Sequence, residues 1–181
     1  MVQIDKLSND FRVQVAGHER TMKRLKREKL HWFRNVKNTA QRTETVNQIL
    51  QHCVLPRSLF LPNDAVFCAK FIRMMHSHGT PSFSTLTFYD RLFSDHISSL
   101  IFIFTLHEAE NYGQFLMLVL SDLAAWHKDE RIYNKEARGE GLPGFLKLWE
   151  PAADVVDKDK ILQWDEYRRV FFKWHQKLFQ V

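Results

Sequence analysis

A run of forty residues without a proline constrains this chain more than any other feature. From Phe11 to Leu50 there is no Pro, and Gly17 is the only Gly. Within it Phe11, Val15, Met22, Leu25, Trp32 and Val36 recur at steps of three, four and seven residues, with His18 and Lys29 in the intervening positions. That spacing places them along one helix face. The expectation is a single long helix, reaching about 60 Å at ~1.5 Å per residue. A helix of that length leans on a partner or projects from a body.

The same stretch holds the charge. From Arg12 to Arg42 there are ten Lys or Arg against Glu19 and Glu28, a net of +8, while the rest of the chain sums to −3. The overall +5 and pI near 9.3 therefore describe a near-neutral body carrying a basic arm. Arg20, Lys23, Arg24 and Arg27 fall mostly away from the apolar stripe. Such a run is either a solvated helix face or a surface for phosphates, whose attraction to Lys and Arg is independent of sequence and weakens with salt. Both readings stand at this level. Trp32 and Phe33 are the only aromatics interleaved with the basic run, and they fit the packing stripe better than a stacking platform.

Beyond Pro56 the pattern becomes a set of shorter helices. Pro62-Asn63-Asp64 starts one that is apolar almost all round, and Gly79 and Pro81 end it. Ser84 caps the next, with helical periodicity from Leu86 to Phe104. Thr105-x-x-Glu108 has the form of a capping box and opens a helix through Trp126, continuing or bending through Ile132 and Tyr133. Three Gly and a Pro between Arg138 and Gly144 mark a loop, and Phe145–Trp149 suggests a short helical turn. A charged connector, 152–163, precedes a helix from about Trp164 with Tyr167, Val170, Phe171, Trp174 and Leu178 on one face. The expected fold is all-α: a basic helical arm over 1–51 and a body over 52–181 resembling a piece of α-solenoid. With 15 Phe and 5 Trp the chain has the apolar surface to repay ordering entropy, which excludes a disordered class.

The N-terminus has no apolar signal segment, and the apolar runs Leu100–Phe104 and Phe115–Leu120 are far shorter than the roughly 20 residues of a membrane span. A Met followed directly by a long helical pattern reads as the start of a fragment. Two Cys make no disulfide framework. The densest ligand set, His52-Cys53, Cys68 and His76-x-His78, lacks the paired short spacings of a zinc site. Asp157-x-Asp159 begins like a calcium loop, but Leu162 and Arg168 stand where Gly and Glu are needed. There is no nucleophile elbow and no phosphate-cradling glycine loop, and Glu108 and Glu110 face different ways on a helix. No catalytic, metal or cofactor residue is expected.

Several ordered blocks together resemble the THO complex subunit 2 family. They are Leu25–Trp32, Cys53–Arg57, Asp64–Phe71, Thr80–Asp95, Glu110–Phe115, Trp126–Arg131, Pro143–Phe145 and Tyr167–His175. They keep their order and spacing over about residues 20–178, whereas 1–20 and 150–163 depart from the family pattern. The resemblance is to a segment from the C-terminal half of a large helical scaffold. It implies a nuclear, non-enzymatic protein that holds other THO subunits and a DEAD-box RNA helicase in mRNP assembly and mRNA export. It implies no membrane association, cofactor or small-molecule substrate. Leu25, Trp32 and Val36 are then the candidate partner-packing residues. Arg20, Lys23, Arg24 and Arg27 are the candidate contacts to RNA, although the family's nucleic-acid binding is generally linked to a charged tail outside this segment.

Overall fold

The computed structural model describes residues 2–94, 96–148 and 158–179. The chain divides into two compact units, Met1–Trp32 and Phe33–Val181. The first unit is helix α1, Val2–Glu28, followed by a 3-10 turn over Lys29–His31.

The expected forty-residue helix is not continuous. After the 3-10 turn Trp32 is extended and Phe33 takes a positive φ of 58°, a conformation few bulky residues adopt. Phe33 is held there by stacking on Phe83, ring centroids 6.4 Å apart. The next helix, α2 (Thr39–Gln48), then begins afresh. The Asn38 side chain accepts from the Gln41 N–H, and the Gln41 side chain reaches back to the Lys37 N–H at 2.8 Å. The Asn-x-x-Gln pattern is a capping signal legible in the sequence, and it outweighs the 3-4 stripe that runs through it.

The second unit is built from α2 and the helices after it. A π-helical turn, Ile49–Val54, leads into α3 (Leu55–Phe60) and α4 (Pro62–Ser77). Helix α4 ends in a Schellman motif. Gly79 has φ +60°, its N–H bonds to His76 O, and Thr80 N–H bonds to Met75 O. The single helix expected from Ser84 to Phe104 is two, α5 (Thr85–Leu92) and α6 (His96–Ile103), the first capped by the Ser84 hydroxyl as expected. The Thr105/Glu108 capping box forms and opens α7 (Leu106–Lys128). The chain bends at Asp129, which caps α8 (Glu130–Glu136). Helix α9 spans Trp164–Phe179.

Phe145–Leu148 is not the helical turn expected. Leu146 forms an isolated antiparallel bridge with Ile161, flanked by Lys147 N–H to Lys160 O at 2.9 Å and Leu162 N–H to Phe145 O at 3.0 Å. This pairing satisfies backbone groups that a one-turn helix would leave open. Of the charged connector, residues up to 157 lie outside the described residues, and Lys158–Lys160 forms a 3-10 turn. Among the described residues there is no strand, so the fold is all-α as expected.

The core lies where α4, α5, α7 and α9 meet. Ile72, Phe88, Phe115, Leu123, Trp126, Tyr167 and Trp174 are at most 1% exposed. The aromatic rings interlock edge to face, as between Trp126 and Phe145 and between Tyr89 and Trp174. Their polar ends are satisfied. Tyr167 Oη donates to Leu123 O at 2.7 Å, Tyr133 Oη to Leu162 O at 2.8 Å and Trp174 Nε1 to Asp90 Oδ1 at 2.8 Å.

His76 sits within this core. Its Nε2 lies 2.9 Å from Glu136 O and its Nδ1 2.9 Å from the Thr85 hydroxyl. The geometry fits an imidazole donating from Nε2 to the carbonyl and accepting at Nδ1. Burial pushes its pKa down to about 4, so it is neutral. Gly144 lets the loop approach it, because a Cβ there would meet Thr85 Oγ1 and His76 Nδ1.

Candidate interaction surfaces

At ~100° per residue, Arg20, Lys23, Arg24 and Arg27 stand at i, i+3, i+4 and i+7 and share one face of α1. All four side chains are exposed. Arg24 pairs with Glu28 at 3.4 Å, a solvated i,i+4 bridge contributing ~0.5 kcal/mol or less. No ion pair holds Arg20, Lys23 or Arg27 among the described residues. The opposite face carries the apolar stripe, which extends N-terminally beyond Phe11 to Leu7 and Ile4. Ile4, Leu7 and Phe11 are 72%, 66% and 68% exposed. The arm is thus amphipathic, cationic on one side and apolar on the other.

The candidate packing residues do not share one helix. Leu25 is on α1, Trp32 follows the 3-10 turn, and Val36 lies in the segment before α2; all three are half-buried. Arg42, counted with the basic arm in the sequence, belongs to the second unit and is only 4% exposed. Its guanidinium donates to Ser82 O at 3.0 Å, Phe83 O at 3.0 Å and Pro143 O at 3.3 Å. Burial lowers its pKa to about 10, which leaves it charged at neutral pH. It clamps two loops and is closed to outside ligands.

The residues tested as metal ligands are dispersed. Cys53 is exposed, and Cys68 is buried with its thiol 3.7 Å from Val54 O. Burial raises the Cys68 pKa to about 11, the opposite of what thiolate chemistry requires. No group of three or more His, Cys, Asp or Glu among the described residues is placed to hold a metal ion. Glu108 is committed to its helix cap, accepting from both the backbone N–H and the hydroxyl of Thr105. That hydrogen bonding holds its carboxyl below the usual range. No helix among the described residues is long and apolar enough to cross a membrane.

A surface the sequence reading passed over lies between α7 and α9. His127, Asp165, Arg168, Arg169 and Phe172 line an open cavity of about 530 Å3. The His127 ring stacks on Phe171 at 4.5 Å, and burial, then Arg168 and His175, lower its pKa. The signal was present in α9. Arg168, Arg169, Phe172 and Phe179 are exposed on the part of α9 turned away from the buried Tyr167 and Trp174.

Comparison with known proteins then places the chain. A family model described as transcription factor/nuclear export subunit protein 2 matches residues 1–181, including the stretches outside the resemblance blocks. THO complex subunit 2 of Homo sapiens is 39% identical over 177 residues, covering 96% of this chain and 11% of that protein. The Mus musculus protein of that name matches to the same extent. That of Arabidopsis thaliana is 27% identical over 176 residues, covering 97% of this chain and 9% of its own length. The chain thus spans about a tenth of the curated relatives it matches. No solved structure gives a significant match. The chain belongs to the Tho2 family.

Proposed function

We propose that this segment is a non-enzymatic scaffold piece of the THO/TREX assembly, part of a larger α-solenoid. In this reading it works in the nucleus and binds other THO subunits and a DEAD-box RNA helicase during mRNP assembly, transcription-coupled processing and mRNA export. The observation that carries it is the exposed apolar stripe on α1, with Ile4, Leu7 and Phe11 each about two-thirds exposed. A contiguous exposed apolar face of this kind marks a protein-binding surface, and helix-in-groove docking reads such i, i+3, i+4, i+7 anchors. The test is a pull-down of the other THO subunits and the helicase with Leu7→Glu/Phe11→Glu and Leu25→Glu/Trp32→Glu variants. Loss of a partner with unchanged far-UV circular dichroism is expected. Retention of every partner by both variants excludes α1 as the interface.

A second reading rests on the opposite face of α1. Arg20, Lys23, Arg24 and Arg27 are exposed and co-facial, the arrangement that meets phosphates. Charge reversal of Lys23, Arg24 and Arg27 then weakens RNA binding at low salt. Unchanged binding rejects this reading.

A further inference from the structure

We propose that the groove between α7 and α9 is a binding site for single-stranded nucleic acid, built from none of the α1 residues. The cavity joins two kinds of group. Arg168 and Arg169 supply cations, and Phe172, 63% exposed, supplies a ring open to a ligand. Non-specific single-strand binders combine these features, a cationic track for the backbone and aromatic faces for successive bases.

The surroundings set the details. Neither arginine forms an ion pair among the described residues. The Arg168 guanidinium lies 5.0 Å over the Trp164 ring, a cation–π contact that orients the head group by its face and leaves the N–H groups at its edge to meet a ligand. Glu166 on the same turn is already occupied, accepting from Lys147 Nζ at 3.1 Å and from the Gln163 N–H at 2.8 Å. Among the described residues, Asp165 is then the only carboxylate lining the cavity. It repels a phosphate at its own position but accepts from an exocyclic base amine or a ribose hydroxyl. Phosphates therefore belong on the arginine side.

A row of rings lies on the same helix beside the cavity. From His127 a ladder of rings runs through Phe171, His175 and Phe179, with His175 4.4 Å from Phe171 and Phe179 86% exposed. The lowered pKa of His127 keeps its ring neutral near pH 7, suited to stacking. The cavity of about 530 Å3 falls in the range of small-ligand sites, room for a base with its phosphate. Duplex bases are stacked on each other and closed to Phe172, and a purely acidic peptide has no use for the rings. Those two differences separate this ligand from other polyanions.

The test is fluorescence anisotropy of the whole 181-residue chain. The probe is a labelled single-stranded RNA of about 15 nucleotides, with the duplex of the same sequence and poly-glutamate as comparators. Binding to the single strand is expected to weaken with salt, to disappear in Arg168→Glu/Arg169→Glu, and to fall about 5- to 100-fold in Phe172→Ala. Phe172→Trp restores it, which separates stacking from a fold defect. Charge reversal on α1 leaves the dependence on Phe172 intact, so failure of either α1 reading does not bear on this one. The proposal is overturned by absence of binding at low salt or by unchanged affinity in Phe172→Ala. Equal affinity for the duplex, or equally effective competition by poly-glutamate, overturns it too.

Discussion

Helices α1 and α9 have the same kind of sequence and opposite fates. Each carries an apolar stripe at three- and four-residue spacing with charged residues opposite. In α9 the stripe is buried, with Tyr167 and Trp174 at 0% and 1% exposure. In α1 its N-terminal half lies open, Phe11 at 68%. Periodicity therefore specifies which face is apolar and says nothing of what covers it. The aromatic stripe of α9 finds α5, α7 and the 144–146 loop, whose rings and carbonyls it interlocks with. The N-terminal half of the α1 stripe stays exposed at Ile4, Leu7 and Phe11, and a helix without tertiary packing draws little stability from local interactions.

The widest gap between the two is expected from truncating matched aromatics. Trp174→Ala, which removes a buried ring and its hydrogen bond to Asp90, costs about 3–5 kcal/mol. For a chain of this size that lowers Tm by about 10 °C in calorimetry. A change of only a degree or two shows that the α9 stripe is as weakly held as that of α1.

Acid tests the body next. His76 has its pKa lowered from 6.5 to about 4. Arg73 adds to burial in that direction, while the Glu136 carbonyl and carboxylate oppose it. Below pH 6.5 the unfolded chain takes the proton before the folded one does. The stability is therefore full above pH 6.5 and is lost as pH falls toward 4, by up to about 3 kcal/mol. Urea titrations across that range follow the loss, and His76→Gln flattens this part of the profile. An identical profile in the variant removes His76 from the account.

Arg42→Met separates the basic residue that is structural from those that are not. It leaves the carbonyls of Ser82, Phe83 and Pro143 without their donor and costs about 2 kcal/mol. Chemical denaturation reads this directly. Charge reversal at Arg20 or Lys23, both exposed on α1, has no comparable effect on the same midpoint.

The smallest effect is expected at Phe11→Ala, within about 0.5 kcal/mol of the parent in the same measurement. A larger cost in the isolated chain shows that the stripe already has a cover, and the contrast with α9 then collapses.

Local signals were legible wherever the chemistry was local. Thr105 with Glu108, Ser84, and Gly79 with its following Pro marked helix ends through side chains within a few residues of the backbone groups they serve. The break after Glu28 was harder to read. The Asn38–Gln41 capping pair was visible, but an aromatic at positive φ was not, since Phe33 is held by Phe83, fifty positions away. The same distance hides Arg42, whose acceptors lie 40 to 101 residues away. The cationic groove depends on His127 and Arg168 meeting across two helices.

By itself, then, the sequence determined the helical class, most helix caps, the amphipathic faces of α1 and α9, and the family. Each follows from short-range geometry or from the order of residues along the chain. Only the tertiary structure decided which stripe is covered, which arginine becomes a clamp, and where arginine and phenylalanine meet in a cavity. Those outcomes depend on groups distant in sequence competing for the same space and the same hydrogen bonds.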